Sequence, residues 1–193
     1  MEQTNNHNAA VPDGHMLRRE VLENIGRYDG EMTISQVVRF FERQGLAFTK
    51  TMIQNYVRVG VMPPPVDKRY YVKEHLILLS LIHQLKEVYS LEDIRRLFGP
   101  IAKDISTFDD DILDMAAVYG IYTELYEKAV TDSEAALPVL MNDIRVRADK
   151  RFVQSGNDRE AVCRFVTILT LMAQSIAARQ LVFRLLGVSE EEK

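Results

Sequence analysis

The sequence predicts a mainly α-helical protein: several short helices around one small extended hairpin, followed by a C-terminal helical bundle. Three observations predict it. From His15 to Phe98 the apolar residues recur at helical spacing in short runs separated by glycines. Three consecutive prolines, Pro63 to Pro65, break that series and hold the chain extended, because proline lacks an amide hydrogen and restricts the residue before it. Beyond Pro100 the runs lengthen, ending in Asn157 to Leu186, which is apolar almost all round.

Each element has its own signals. Residues 1–14 are rich in Asn, Gln and Thr without apolar periodicity and read as a disordered tail. Leu17, Val21, Leu22 and Ile25 share one helical face, and Gly26 with Asp29-Gly30 ends that helix. Thr33 and Gln36 have capping-box spacing ahead of Ile34, Val37, Val38 and Phe41, and Gly45 is a natural end point. After the link Leu46 to Phe48, a helix begins at Thr49 or Thr51, buries Met52, Ile53, Tyr56 and Val57, and stops at Gly60. Val66 to Val72 carries Lys68 and Arg69 beside Tyr70 and Tyr71, and a turn flanked by extended pieces is expected there. Helices are expected from Lys73 to Tyr89 and, capped by Ser90 with Asp93, up to Gly99-Pro100. Three further helices are expected: one from Asp109–Asp111, acids that favour a helix N-terminus, to about Val130; one from Pro138 to Phe152; and Asn157 to Leu186. The expected organisation is a tail (1–14), an N-terminal helix (15–30), a central unit of short helices and a hairpin (31–99), a helical dimerisation or effector domain (100–187) and a short tail (188–193).

Composition narrows the function classes. The chain has 193 residues, 47% hydrophobic and 27% charged, the balance of a soluble globular protein. Its one cysteine, Cys163, allows neither an internal disulfide nor a multi-cysteine metal cage, which points to a cytoplasmic setting. The first fifteen residues lack the apolar stretch of a signal peptide. The longest uncharged apolar run, Phe165 to Ala178, has 14 residues, short of the about 20 that a membrane helix needs, so no membrane partner is expected. The net charge of −4 is uneven: residues 31–100 carry 10 basic and 7 acidic groups, and the flanking segments are acidic. A nucleic-acid surface confined to the middle third would be hidden by a whole-chain pI of 5.6.

Two short helices, a tight link and a basic aromatic hairpin make a winged helix-turn-helix. A helix fits the major groove of B-DNA and presents base-reading side chains, while a basic wing supplies phosphate contacts. The candidate DNA-binding residues are Thr49, Lys50, Thr51, Gln54, Asn55 and Arg58 on the second helix and Lys68, Arg69 and Tyr70 on the wing.

Met52 to Pro64 resembles the second helix and following turn of mercury-resistance-regulator-like (MerR-type) proteins, which show threonine-leucine-arginine, two aromatics, a charged stretch, glycine, two aliphatics and proline. Arg69-Tyr70-Tyr71 resembles the family's wing, Glu74-His75-Leu76 the start of its third helix, Ser90 to Leu97 its fourth, and Thr33 to Val37 its first. The likeness covers Met32 to Phe98. It also resembles a bacterial family of unknown function that carries such a domain, through Thr51-Met52-Ile53, Asn55-Tyr56-Val57, the prolines and Lys68-Arg69-Tyr70. The resemblance implies double-stranded DNA as partner and a dimeric regulator. Gln54 and Asn55 stand where the family has an arginine and an aromatic; both can bond adenine bidentately. Gly99-Pro100 falls where the family runs on into one long dimerising helix, so the dimer is expected to form differently, through Asn157–Leu186 and the helix from Asp110 to Val130.

Other features read as ordinary structure. His75 and His83 lie eight apart on one helix, too far to share a metal ion, and are expected at the surface or partly packed. Tyr119, Tyr122 and Tyr126 read as bundle packing, with a small-molecule effector pocket between bundle helices as the alternative. No metal, cofactor or catalytic motif stands out, so no enzyme is expected. The alternative function is a protein-protein interaction module built on the same helix-turn-helix.

Overall fold

The computed structural model describes residues 19–98, 114–150 and 157–187. The predicted tails, the Gly99-Pro100 break and the Asp109–Asp111 cap lie outside them. Among the described residues the protein is mainly helical with little strand. The elements are α1 (Arg19–Gly26), β1 (Met32–Thr33), α2 (Ile34–Glu42), α3 (Lys50–Arg58), β2 (Tyr70–Tyr71), α4 (Lys73–Leu85), α5 (Leu91–Phe98), α6 (Met115–Asp149) and α7 (Asn157–Leu185). The chain forms two compact units, divided between Thr123 and Glu124 within α6.

The N-terminal unit is built around α4. A cluster of 22 buried hydrophobic residues runs from Val21 and Ile25 of α1 through Phe41, Ile53 and Tyr56 to Leu76, Leu79 and Ile82 of α4, then to Ile94, Phe98, Met115 and Tyr119. α4 is apolar on nearly every face, with His75 to His83 all buried, because other elements surround it. The caps are those the sequence signals. Thr33 donates its backbone N–H to Gln36 Oε1 (2.8 Å). The Thr49 hydroxyl accepts from the Met52 N–H (3.1 Å). Ser90 and Asp93 cap α5 reciprocally, each side chain accepting the other's backbone N–H at 3.1 Å. Gly45 and Gly60 end α2 and α3 at φ +77° and +74°, where a side chain would strain the backbone.

One strand escapes the sequence reading. β1 is two residues long and pairs antiparallel with β2, Met32 facing Tyr71 and Thr33 facing Tyr70. Two residues carry no period, so only a partner distant in sequence reveals them. α4 is also shorter than expected: it ends at Leu85, and turns carry the chain to Ser90.

The C-terminal unit comprises α6 from Glu124 onward and α7. The expected break between two helices near Pro138 is absent; α6 is continuous through it. Pro138 is exposed, so water can satisfy the carbonyl one turn back that loses its donor, and strong helix formers flank it. α7 matches its expected extent. The helix over residues 159–185 is long and apolar enough to cross a membrane by length and composition, its most apolar 18-residue stretch having mean hydropathy 1.6.

Candidate functional site

α3 sorts its residues by angle. Ile53 and Tyr56 are buried and fix which face looks inward. Successive residues turn by about 100°, so Lys50, Thr51, Gln54 and Arg58 fall within one outward arc of about 100°. All four are exposed, while Asn55 and Val57 lie half-buried at the two edges. Asn55 is at the edge marked by Thr51 and Arg58, and its Oδ1 accepts a 2.6 Å bond from Arg58 Nη2. Gln54 and Val57 mark the other edge, and that edge meets the hairpin.

The hairpin is small and tight. Val66 donates to the Tyr70 carbonyl (2.7 Å) and accepts from the amides of Arg69 (3.0 Å) and Tyr70 (2.8 Å). The turn residues Asp67 and Lys68 have φ of +50° and +59°. Two successive positive φ values make a turn of the kind that favours Asn-Gly, because its twist matches that of paired strands. Lysine there is strained where glycine would not be. Lys68 and Arg69 are exposed, and the Arg69 guanidinium lies 5.2 Å from the centre of the Tyr70 ring. Tyr70, half-buried, therefore orients Arg69.

Gln54, Lys68 and Arg69 line one open cleft of about 400 Å³ with Thr33 at its rim and Ile34, Val57, Pro65 and Tyr71 beneath. So the structure brings together Gln54 and the two cationic hairpin residues, with Lys50, Thr51 and Arg58 on the same outward face of α3. Asn55 stands apart from the cleft. Thr49, exposed, has its hydroxyl engaged in the cap. Lys50, Arg58, Lys68 and Arg69 form no ion pair with any described residue, whereas Arg27 and Arg96 pair with glutamates on their own helices.

Two residues at this site were missed. His75 is fully buried, not at the surface. Its Nδ1 accepts from the Val72 N–H (3.2 Å), which leaves Nε2 to donate to the Pro64 carbonyl (3.1 Å). Pro64 and Val72 flank the hairpin, so one imidazole ties down both of its feet. Burial lowers the His75 pKa and favours the neutral ring. The signal was its place three residues after a helix cap, where a side chain reaches back to the cap amide. The second is Arg95 of α5, exposed, whose Nε lies 3.6 Å from where a β-carbon on Gly60 would stand. It adds a cation at the C-terminal end of α3. Only tertiary packing places it there.

His83 is buried as well, its ring 4.9 Å from that of Phe48. Tyr119 belongs to the core of the N-terminal unit, not to a bundle, and burial raises the pKa of its phenol well above the ordinary value. Tyr122 donates to Gln84 Oε1 (2.9 Å). In the C-terminal unit a cavity of about 590 Å³ is lined by Met141, Arg145, Arg159, Glu160, Cys163, Arg164 and Thr167. Its wall carries Arg145, Arg159 and Arg164 together with Glu160, and Arg159 is paired with Asp149. Among the described residues no three His, Cys, Asp or Glu side chains come together as a metal-ligand set.

Residues 22–122 match the domain of unknown function DUF1836, slightly more than half of the chain, and the protein belongs to that family. No curated protein and no solved structure gives a match.

Proposed function

We propose that this member of the family is a winged helix-turn-helix DNA-binding regulator, in which α3 enters the major groove and the Val66–Tyr70 hairpin is the wing. The observation that carries the reading is the cleft where Gln54 of α3 meets Lys68 and Arg69. A base-reading amide then lies beside two phosphate-binding cations, with Lys50 and Arg58 extending the positive face along α3. The order α2, tight turn, α3, hairpin, α4 is consistent with the resemblance to the MerR-type domain, and β1, just ahead of α2, pairs with β2 at the end of the hairpin. The strained turn adds support. Lysine at a positive φ costs about 1 kcal/mol relative to glycine, a cost that a phosphate-binding role offsets.

Gln54 can make the bidentate bonds that select adenine. Asn55 would have to leave Arg58 to do the same. Lys68, Arg69, Lys50 and Arg95 supply charge, which sets affinity on every sequence and makes it salt-dependent. Selection of duplexes from random DNA with the purified full chain tests the reading. The expected result is an enriched motif bound more tightly than scrambled DNA. Binding no tighter than about 10⁻⁴ M to every duplex would overturn it, since that is the weak limit of non-specific binding. The apolar floor of the cleft, Ile34 and Val57, would then fit a protein side chain instead.

A further inference from the structure

The Val66–Tyr70 hairpin closes by itself, but one side chain seats it. Backbone bonds between Val66 and the Arg69–Tyr70 pair hold it shut. Its two feet differ in what they can offer. The second, Tyr70–Tyr71, pairs with β1. The first, Pro63 to Pro65, has no amide hydrogen and can bond other groups only through its carbonyls. The Pro64 carbonyl accepts from His75 Nε2 (3.1 Å), while Nδ1 of the same ring accepts the Val72 N–H (3.2 Å) just past the other foot. His75 is fully buried on α4, the helix at the centre of the N-terminal core, so the ring has a fixed footing. Tyr71 meets it edge-on, with ring centres 5.2 Å apart, and lines the cleft with Gln54, Lys68 and Arg69. One residue therefore separates the ring from the cleft.

We propose that His75 is the positioning residue of the DNA-binding face: by joining both feet of the closed hairpin to α4, it sets where Lys68 and Arg69 stand relative to the Gln54 edge of α3. The inference rests on the DNA reading and adds to it a residue that touches no DNA. The two bonds of the ring do separable jobs. The bond to Val72 satisfies an amide at the start of α4 and serves folding. The bond to Pro64 fixes the first foot and serves the wing. A hairpin freed at that foot stays closed through Val66 and can swing about the foot that β1 still holds. Lys68 and Arg69 then lose their place beside α3, while Gln54, carried by α3 itself, keeps its own. The sequence offers two replacements that divide these jobs. Gln36 reaches back to the Thr33 N–H from the same position of α2, and Asp93 to the Ser90 N–H from the same position of α5. Glutamine at 75 can therefore accept from Val72 and donate onward to Pro64, since an amide has an acceptor and donors. Asparagine, as short as Asp93, can accept from Val72 but is too short to hold Pro64 as well.

Fluorescence anisotropy on the full chain, with a selected duplex and a scrambled one over a range of salt, tests the role. His75→Asn should weaken binding to both duplexes about tenfold and lower the salt slope by about one to two units, as loss of one or both wing cations would. The ratio of the two affinities should stay at its wild-type value, because Gln54 is undisturbed. His75→Gln should stay within about threefold of the wild type, its amide rescuing both bonds. His75→Leu, which keeps neither bond, should match His75→Asn on DNA while unfolding at a lower denaturant concentration; if it does not fold, the Asn and Gln pair decides alone. Lys68→Ala should weaken His75→Asn by less than about twofold, since a contact already lost cannot be lost again. A folded His75→Asn with wild-type affinity and salt slope would overturn the positioning role and leave the DNA reading intact. Full additivity with Lys68→Ala would do the same. A wild type that binds no duplex tighter than about 10⁻⁴ M would instead overturn the DNA reading, and this inference with it.

Discussion

The two units of this protein solve the burial problem in opposite ways. The N-terminal unit gathers 22 hydrophobic side chains into one cluster around α4. In the C-terminal unit, among the described residues, only Ile144, Ala148 and Phe183 are buried hydrophobics, while Phe165, Met172, Ile176 and Leu185 are more than half exposed. Stability comes chiefly from apolar area removed from water. The first unit therefore carries its own stability, and the second depends on what covers it. The surface consequences differ too. The first unit exposes a strained, charged hairpin over a closed core, whereas the second leaves large apolar side chains exposed.

The largest expected effect lies in the core. Phe41→Ala should destabilise the N-terminal unit by about 3–5 kcal/mol, read by chemical denaturation. Leu169→Ala, on the exposed surface of α7, should change stability by less than about 0.5 kcal/mol. Equal losses at the two sites would erase the distinction between the units.

His75 comes next. His75→Ala leaves the Val72 amide and the Pro64 carbonyl without their partner and should cost about 1–3 kcal/mol. The pH dependence has a definite sign. The folded-state pKa is lowered, so the unfolded chain binds a proton first as pH falls. The stability that this ring provides is complete above about pH 6.5 and is lost as pH falls from there through the depressed folded value. Denaturant midpoints measured between pH 7.5 and 5 check this. His75→Gln should flatten this part of the profile, and an unchanged slope would show that the ring is not the group responsible.

Gly60→Val should cost about 1–3 kcal/mol through its positive φ, read as a lower melting temperature. The smallest effect, and the sharpest for function, is Lys68→Gly. Relief of the left-handed turn should raise stability by about 1 kcal/mol while DNA affinity falls. A stability gain without loss of binding would show that the strain serves nothing at this surface.

Much of this architecture was legible in the sequence because it is local. Thr33, Thr49 and Ser90 announce helix starts, Gly45 and Gly60 announce helix ends, and the proline run marks the extended link to the hairpin. What was hidden is long-range. β1 is too short to show alternation and exists only against Tyr70 and Tyr71. Tyr119 has the period of a bundle helix, yet its ring belongs to the N-terminal core. Pro138 reads as the start of a separate helix, yet it is exposed and α6 passes through it. His75 reads as a surface histidine because its two partners, Pro64 and Val72, meet it only once the hairpin is closed. At the site, spacing placed Gln54, Asn55 and Arg58 together on one outward face, whereas α3 puts Gln54 at the cleft and Asn55, half-buried, away from it.

The reading of α3 and the hairpin as one DNA-binding face is tested most directly by salt-dependent fluorescence anisotropy on a selected duplex and a scrambled one. Lys68→Ala and Arg69→Ala should each weaken binding to both duplexes and lower the salt slope by about one unit. Gln54→Ala should cost about 1–3 kcal/mol on the selected duplex alone and leave the slope nearly unchanged. If all three substitutions leave both the affinities and the salt slope at their wild-type values, the cleft is not where this protein meets DNA.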